Sequence, residues 1–236
     1  MSDDPLAWLV SLEGVASAFA ATRDGIDAML RDRGLRRTSP ELTGESLLRG
    51  AHASAVLEGS SSSLDEVRST GGDEVARSAL RLSVELLGLV PTLRRAPLQA
   101  LARLHTLAAV GVVDDADLGR PRSPEAAARL QGLARMLSSS TAAPALVVAA
   151  VVHADLATAS PFTSHNGIVA RAAERLVLVA RGVDEKSLTV PEAGHLALRA
   201  EYESNLRAYA AGQVHPWLLY AAEAFAAGAE ASPLRA

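Results

Sequence analysis

The chain is 236 residues long, 49% hydrophobic and 21% charged, with a formal charge of −4 at pH 7 and no cysteine. That size and balance support a sizeable core in one large or two small domains and exclude general disorder; the lack of cysteine excludes disulfides, thiolate catalysis and cysteine-ligated zinc. Its 22 Arg and single Lys are dispersed among 27 acids, which leaves no basic stripe for a nucleic-acid backbone.

Aromatic residues make up only 3% of the chain. A sheet-rich protein spends aromatic and β-branched residues on its strands, whereas this one spends Ala, Leu and Arg, so the composition predicts an all-α fold. Asp3 and Asp4 stand where a secretory leader carries positive charge, and the longest apolar run, AAPALVVAAVVHA from 142 to 154, is too short to span a bilayer. These features predict a cytoplasmic protein with no membrane partner.

In chain order, Leu6, Leu9, Leu12, Val15 and Phe19 recur at helical spacing and predict a helix over 5 to 31, either a self-association surface or a helix packed on its own domain. A break follows at RDRGLRRTSPEL. A second helix runs from an N-cap at Thr43 to Glu58, with Gly59 at C′, and the Ser-rich stretch GSSSSLDEVRSTGGD reads as a loop or a short helix between loops. Further helices are expected over 73 to 89, 97 to 109, 124 to 138 (capped by Ser123), 144 to 158, 167 to 181, 191 to 211 and 216 to 228. PALVVAAVVHADLA is apolar on every face, as in a helix surrounded by helices. It and the apolar helix from Ile168 onward form the expected centre of the bundle.

The turn between those two helices reads SPFTSHNGIVAR, from 160 to 171. Asn166 and Gly167 lie where the chain re-enters a helix, and the free N–H groups of a helix start favour a phosphate or carboxylate. On its own this is also what a loop residue and a Gly before any helix look like. The stretch resembles the signature of the Fic (Fido) family, H-x-F-x-[DE]-G-N-G-R-x-x-R, through Phe162, Asn166, Gly167 and Arg171, with the usual Pro at Pro161. VVHADLATASPF, ARLHTLAAVG with DLGRPR, RAEYESNLRAYAAG and HPWLLYAAEAF are similar to neighbouring family segments, so the resemblance covers about 43 to 228. It implies an all-α Fic-like bundle around two central helices at 43 to 230, with an N-terminal extension at 1 to 42 and a tail at 231 to 236. Most members of that family transfer AMP from ATP to a protein hydroxyl.

SAVLEG resembles a second family motif, [ST]-x-x-x-E-[GN], carried by an inhibitory helix, here 43 to 59, through Ser54, Glu58 and Gly59. A carboxylate in the last turn of a helix is disfavoured by the dipole by about 0.3 to 1 kcal/mol and needs a partner or solvent. The resemblance implies that Arg171 is that partner, with the ion pair standing where the ATP γ-phosphate would. The alternative is a solvated Glu58 with Arg171 paired to Glu174 along its own helix.

The departures fall on the chemistry. Ser160 stands where the family has its general-base His, and loss of such a base typically costs about 10² to 10⁴ in rate. Ser164 replaces the acid implied to hold Mg²⁺, His165 replaces a Gly of the anion nest, and Ile168 replaces an Arg. His165 is the remaining candidate base, and His153 reads as a hydrogen-bonded core residue. His52, His105, His195 and His215 show no metal-ligand spacing, so no metal site is expected. GRPRSPEAAARL enters a helix at once, so the flap hairpin that docks a target peptide is expected to be short or absent. The sequence thus predicts a degenerate Fic-like protein without AMP transfer, holding no cofactor, that binds a protein partner, or a nucleotide or small anion through Asn166, Gly167 and Arg171, with oligomers possible. The alternative is a nucleotidyl or phosphoryl transferase of altered chemistry, using ATP, Mg²⁺ and His165, or a reverse reaction in which Glu58 positions water.

Overall fold

A computed structural model describes residues 4 to 32 and 40 to 235; most of the predicted break at RDRGLRRTSPEL lies outside the described residues. The helices are α1 (Ala7–Val10), α2 (Val15–Asp32), α3 (Pro40–Leu57), α4 (Leu64–Thr70), α5 (Glu74–Glu85), α6 (Val90–Arg95), α7 (Pro97–Ala109), α8 (Pro124–Ser138), α9 (Ala145–Ala159), α10 (Asn166–Ala180), α11 (Pro191–Ala197), α12 (Arg199–Ala210) and α13 (Val214–Glu230). Among the described residues no strand forms, and the only bridge joins Val110 to Val113. None of the helices is long and apolar enough to cross a membrane.

The core centres on α9 and α10, which pack against each other more extensively than any other pair. From Leu146 to Ala154 every residue of α9 is buried, because α10, α12 and α13 surround it. Burial of each Leu or Val there contributes about 1.5 to 3 kcal/mol. Trp217 of α13 is fully buried and donates its indole N–H to the Ala150 carbonyl at 2.9 Å. On the N-terminal side, α2 packs on α13, with Phe19 against Phe225 and the Thr22 hydroxyl on the Ala222 carbonyl.

Several expected boundaries shift. The first helix is interrupted at 11 to 14, where Gly14 takes a φ of 74°. α3 begins at Pro40, so Thr43 is no N-cap: it lies inside the helix and its hydroxyl donates to the Lys186 carbonyl. The helix expected over 73 to 89 ends at Glu85, and a 3-10 turn at Leu86–Leu89 leads into α6, whose early Pro91 lacks the N–H an uninterrupted helix needs. The helix expected over 191 to 211 breaks at Leu198, where φ is −111° and ψ is 40°. α4 arises in the Ser-rich stretch through a capping box, Ser63 accepting from the Glu66 N–H while Glu66 accepts from the Ser63 N–H. Between α7 and α8 the chain makes a 3-10 turn at Asp115–Asp117 in place of a hairpin, and the Arg122 N–H donates to the Pro161 carbonyl at 2.9 Å.

Candidate functional site

α9 ends on Ser160, a left-handed residue (φ 43°) whose hydroxyl donates to the Ala157 carbonyl at 3.1 Å. The chain then turns over Phe162, whose buried ring stacks on His105 at 4.3 Å with the planes 4° apart. Asn166 locks this turn: its Oδ1 accepts from the Phe162 N–H at 2.9 Å and its Nδ2 donates to the Phe162 carbonyl at 3.0 Å. His165, the N-cap of α10, holds a φ of 56°, a conformation that Gly adopts freely and His adopts with strain. Its Nδ1 lies 2.7 Å from Ser164 Oγ. Burial pushes the His165 ring down from its ordinary range, with the Glu58 charge pulling it back up. Ile168 is buried in the core.

α3 delivers the opposing acid. Gly59, at φ 94°, ends the helix with a Schellman pattern: its N–H reaches the Val56 carbonyl and the Ser60 N–H reaches the Ala55 carbonyl, both at 3.0 Å. That reversal aims the preceding Glu58 at the start of α10. A Cβ added at Gly167 would collide with Glu58 Oε1 and lie 2.9 Å from its carboxyl carbon, so the carboxylate sits in the mouth of α10, where the helix amides lack internal partners.

Arg171, one turn into α10, is 1% exposed and uses three edges. Nε donates to Ser54 Oγ at 2.9 Å, Nη2 to the Ser54 carbonyl at 3.1 Å and to Glu58 Oε1 at 2.7 Å, and Nη1 to the Tyr202 hydroxyl at 3.1 Å. Burial would lower this guanidinium, but the Tyr202 and Glu58 oxygens outweigh it and raise its pKa. One turn on, Arg175 donates to both the hydroxyl and the carbonyl of Ser46, to Ser187, to the Thr189 carbonyl and to Glu192 Oε2. Ser46, Gly50, Ser54 and Glu58 therefore form a four-residue-spaced stripe on α3 and just beyond it that receives the guanidinium groups of Arg171 and Arg175, and a side chain at Gly50 would strike Arg175.

The structure thus brings Ser54, Glu58, Gly167 and Arg171 into one constellation. Asn166 is beside it but spends its amide on the turn, and Gly59 serves by its backbone alone. Glu58, and not Glu174, makes the direct ion pair with Arg171. Glu174 has other partners: His153 Nδ1 lies 2.9 Å from its Oε1 and His195 Nε2 lies 2.9 Å from its Oε2. The remaining ring nitrogens meet Tyr202 (2.9 Å) and Tyr220 (2.8 Å). Burial pushes His153 down to about 4, against the pull of Glu174, so the ring is neutral. Burial favours a neutral Glu174, but the charges that His153 and His195 carry when protonated, together with their hydrogen bonds, outweigh it and hold the carboxyl near 2.

Sequence spacing gave no sign of this cluster, because His153, Glu174, His195, Tyr202 and Tyr220 come from α9, α10, α11, α12 and α13. The one available signal was a His within the apolar run of α9 from 145 to 154, a group that burial obliges to find partners. The proximal atoms of His153, Glu174 and His195 lie within 4.8 Å of one another and are types that ligate transition metals. A cation there would turn both distal nitrogens into donors and strand the hydroxyl hydrogens of Tyr202 and Tyr220, so the present partners fit protons better than a metal. The Mg²⁺ implied by the motif resemblance fits no better: Ser164 supplies a hydroxyl engaged with His165, and the neighbouring carboxylate, Glu58, is held by Arg171.

No protein-family model matches the sequence, and no curated protein does either. Solved structures do match. A Fic family protein from Desulfovibrio desulfuricans G20 superposes with a TM-score of 0.77 at 17% identity, over 91% of this chain and 73% of that one. Fic-1 from C. elegans gives 0.72 at 17% identity, over 94% and 72%, and a point variant of the same nematode protein gives 0.69 at 19%, over 96% and 73%. At these identities the likeness establishes the fold: the chain is an all-α bundle of the Fic type.

Proposed function

We propose that this Fic-fold chain is a cytoplasmic binding or regulatory protein that has lost AMP transfer and keeps an anion site closed by its own Glu58. The observation that carries the reading is the Glu58 carboxylate, seated over Gly167 and bonded to Arg171 Nη2 at 2.7 Å, in the place an incoming phosphate or carboxylate would take. The reactive groups beside it are weak. The Ser160 hydroxyl, whose hydrogen is engaged by the Ala157 carbonyl, takes up no proton near neutral pH. The turn from 160 to 168 contains no carboxylate to hold a dication. With the hairpin replaced by a 3-10 turn, an extended target peptide has no edge strand to join. In this reading α3 is an inhibitory helix, and the ligand is a nucleotide or small anion whose binding is read by a protein partner.

The test is calorimetric titration with ATP, with and without Mg²⁺, of the natural protein and of Glu58→Gly, followed by transfer assays with labelled ATP. The reading predicts weak binding by the natural protein, a gain in Glu58→Gly that does not need metal, and no transfer by either.

A second reading has one specific observation behind it. The His165 ring, kept neutral by burial and 2.7 Å from Ser164 Oγ, is a proton acceptor at the mouth of α10. It would serve a nucleotidyl or phosphoryl transferase of altered chemistry, and it predicts metal-dependent transfer that disappears in His165→Ala.

A further inference from the structure

An unbroken line of buried hydrogen bonds runs from Arg171 through Tyr202, His153, Glu174 and His195 to Tyr220, and the protons between Arg171 and Glu174 are fixed by chemistry. A guanidinium only donates, so the Tyr202 oxygen is the acceptor at 3.1 Å and its own hydrogen goes to His153 Nε2 at 2.9 Å. His153 therefore carries its proton on Nδ1 and gives it to Glu174 Oε1 at 2.9 Å. From the other end His195 Nε2–H donates to Glu174 Oε2 at 2.9 Å, and the Tyr220 hydroxyl lies 2.8 Å from His195 Nδ1. All six side chains lie in the interior, none more than 5% exposed. Both branches donate toward Glu174, so this carboxylate is a second counter-ion of Arg171, joined to it through two neutral groups.

From this geometry we infer that Tyr202 is the positioning residue of the anion site: its hydroxyl, ordered by His153 and Glu174 behind it, fixes the Arg171 guanidinium so that the outer anion is exchanged without disturbing the clamp. The inference rests on the anion-binding reading above and adds how the clamp survives exchange. When Glu58 swings away, Arg171 loses one of its four hydrogen bonds. Three remain, to Ser54 Oγ, the Ser54 carbonyl and Tyr202, and the buried charge keeps a counter-ion in Glu174. The site is thus preorganised for a carboxylate or phosphate oxygen, and α3, pinned by Arg175 through Ser46, need not leave the bundle.

Nitrogen-15 NMR on Tyr202→Phe, which removes only the phenol oxygen, tests this. In the natural protein the His153 ring is expected as the Nδ1–H tautomer, with rotation about the Arg171 Cζ–Nη bonds slowed. In Tyr202→Phe that rotation is expected to quicken at least severalfold. In the Glu58→Gly background the added Tyr202→Phe change is expected to weaken ATP binding about tenfold, the size of a lost bond to a charged group. Unchanged Arg171 rotation in Tyr202→Phe, an Nε2–H tautomer at His153, or one equivalent of Co²⁺ bound at the two imidazoles would overturn the inference. If Tyr202→Phe does not fold, the His153 tautomer in the natural protein decides. A Glu58→Gly protein that binds no ATP refutes the anion-site reading, and Arg171 rotation still decides the role of Tyr202.

Discussion

Gly167→Ala and Glu58→Gly break the same ion pair and should part company on ligand binding. A methyl at 167 collides with Glu58 Oε1, and the carboxylate, being the movable end of a side chain, has to swing out to solvent. Arg171 then loses one charge-assisted bond of the four it makes. Because the Glu58 side chain is 34% exposed, the pair is partly screened, and its loss costs about 1 kcal/mol. Ala is the better helix former by up to about 1 kcal/mol, which offsets much of that cost. Gly167→Ala is therefore expected to unfold in urea within about 1 kcal/mol of the natural protein. The same methyl stands where a phosphate oxygen would approach the α10 amides, so the variant should bind ATP no better than the natural protein. Glu58→Gly, with the mouth empty, should bind it better. Paired urea melts and calorimetric titrations measure both. ATP affinity in Gly167→Ala equal to that of Glu58→Gly, or a stability loss above about 3 kcal/mol, would refute the placement of the carboxylate.

Arg175→Ala strands Glu192, whose side chain is 6% exposed, together with Ser46 and the Thr189 carbonyl, and is expected to cost about 3 to 5 kcal/mol in urea melts. Gly59→Ala forces a side chain into φ 94° and should cost about 1 kcal/mol or more, read the same way, while loosening the aim of Glu58. Burial lowers His153 and His105 from 6.5 to about 4 in the folded chain. The unfolded chain thus takes up these protons first, and stability should fall as pH drops from about 6.5 to 4, by about 1.4 kcal/mol per pH unit for each proton. Glu174, depressed from 4.5 to about 2, adds stability above 4.5 that is lost as pH falls through that window. Urea melts across these pH values check the slope, and His105→Gln should remove part of its upper limb.

The sequence was most informative where local chemistry governs. Ser123 and Pro124 start α8 and Pro97 starts α7 where expected, and the all-round apolar run at 144 to 158 is the buried α9. It was less informative where tertiary partners decide: the interruption at Gly14, the break at Leu198 and the start of α3 before Thr43 depend on what packs against each segment. Within the site, the offsets of Ser54, Glu58, Gly167 and Arg171 were legible because each motif is short and local. The pairing of Arg171 with Glu58 over Glu174 was favoured by the family resemblance and not by spacing, since both acids were available at suitable spacing. What decided it was His153 and His195, brought to Glu174 from two other helices. No spacing rule reports a five-helix cluster, and only the demand that a buried His find partners hinted at it.

The most direct test is a calorimetric titration of the natural protein and Glu58→Gly with ATP in the absence of divalent metal. Removal of the carboxylate from the mouth of α10 is predicted to raise affinity at least tenfold, since the guanidinium and amides it covers are already in position. Equal affinity in the two proteins would contradict the claim that Glu58 occupies the anion site.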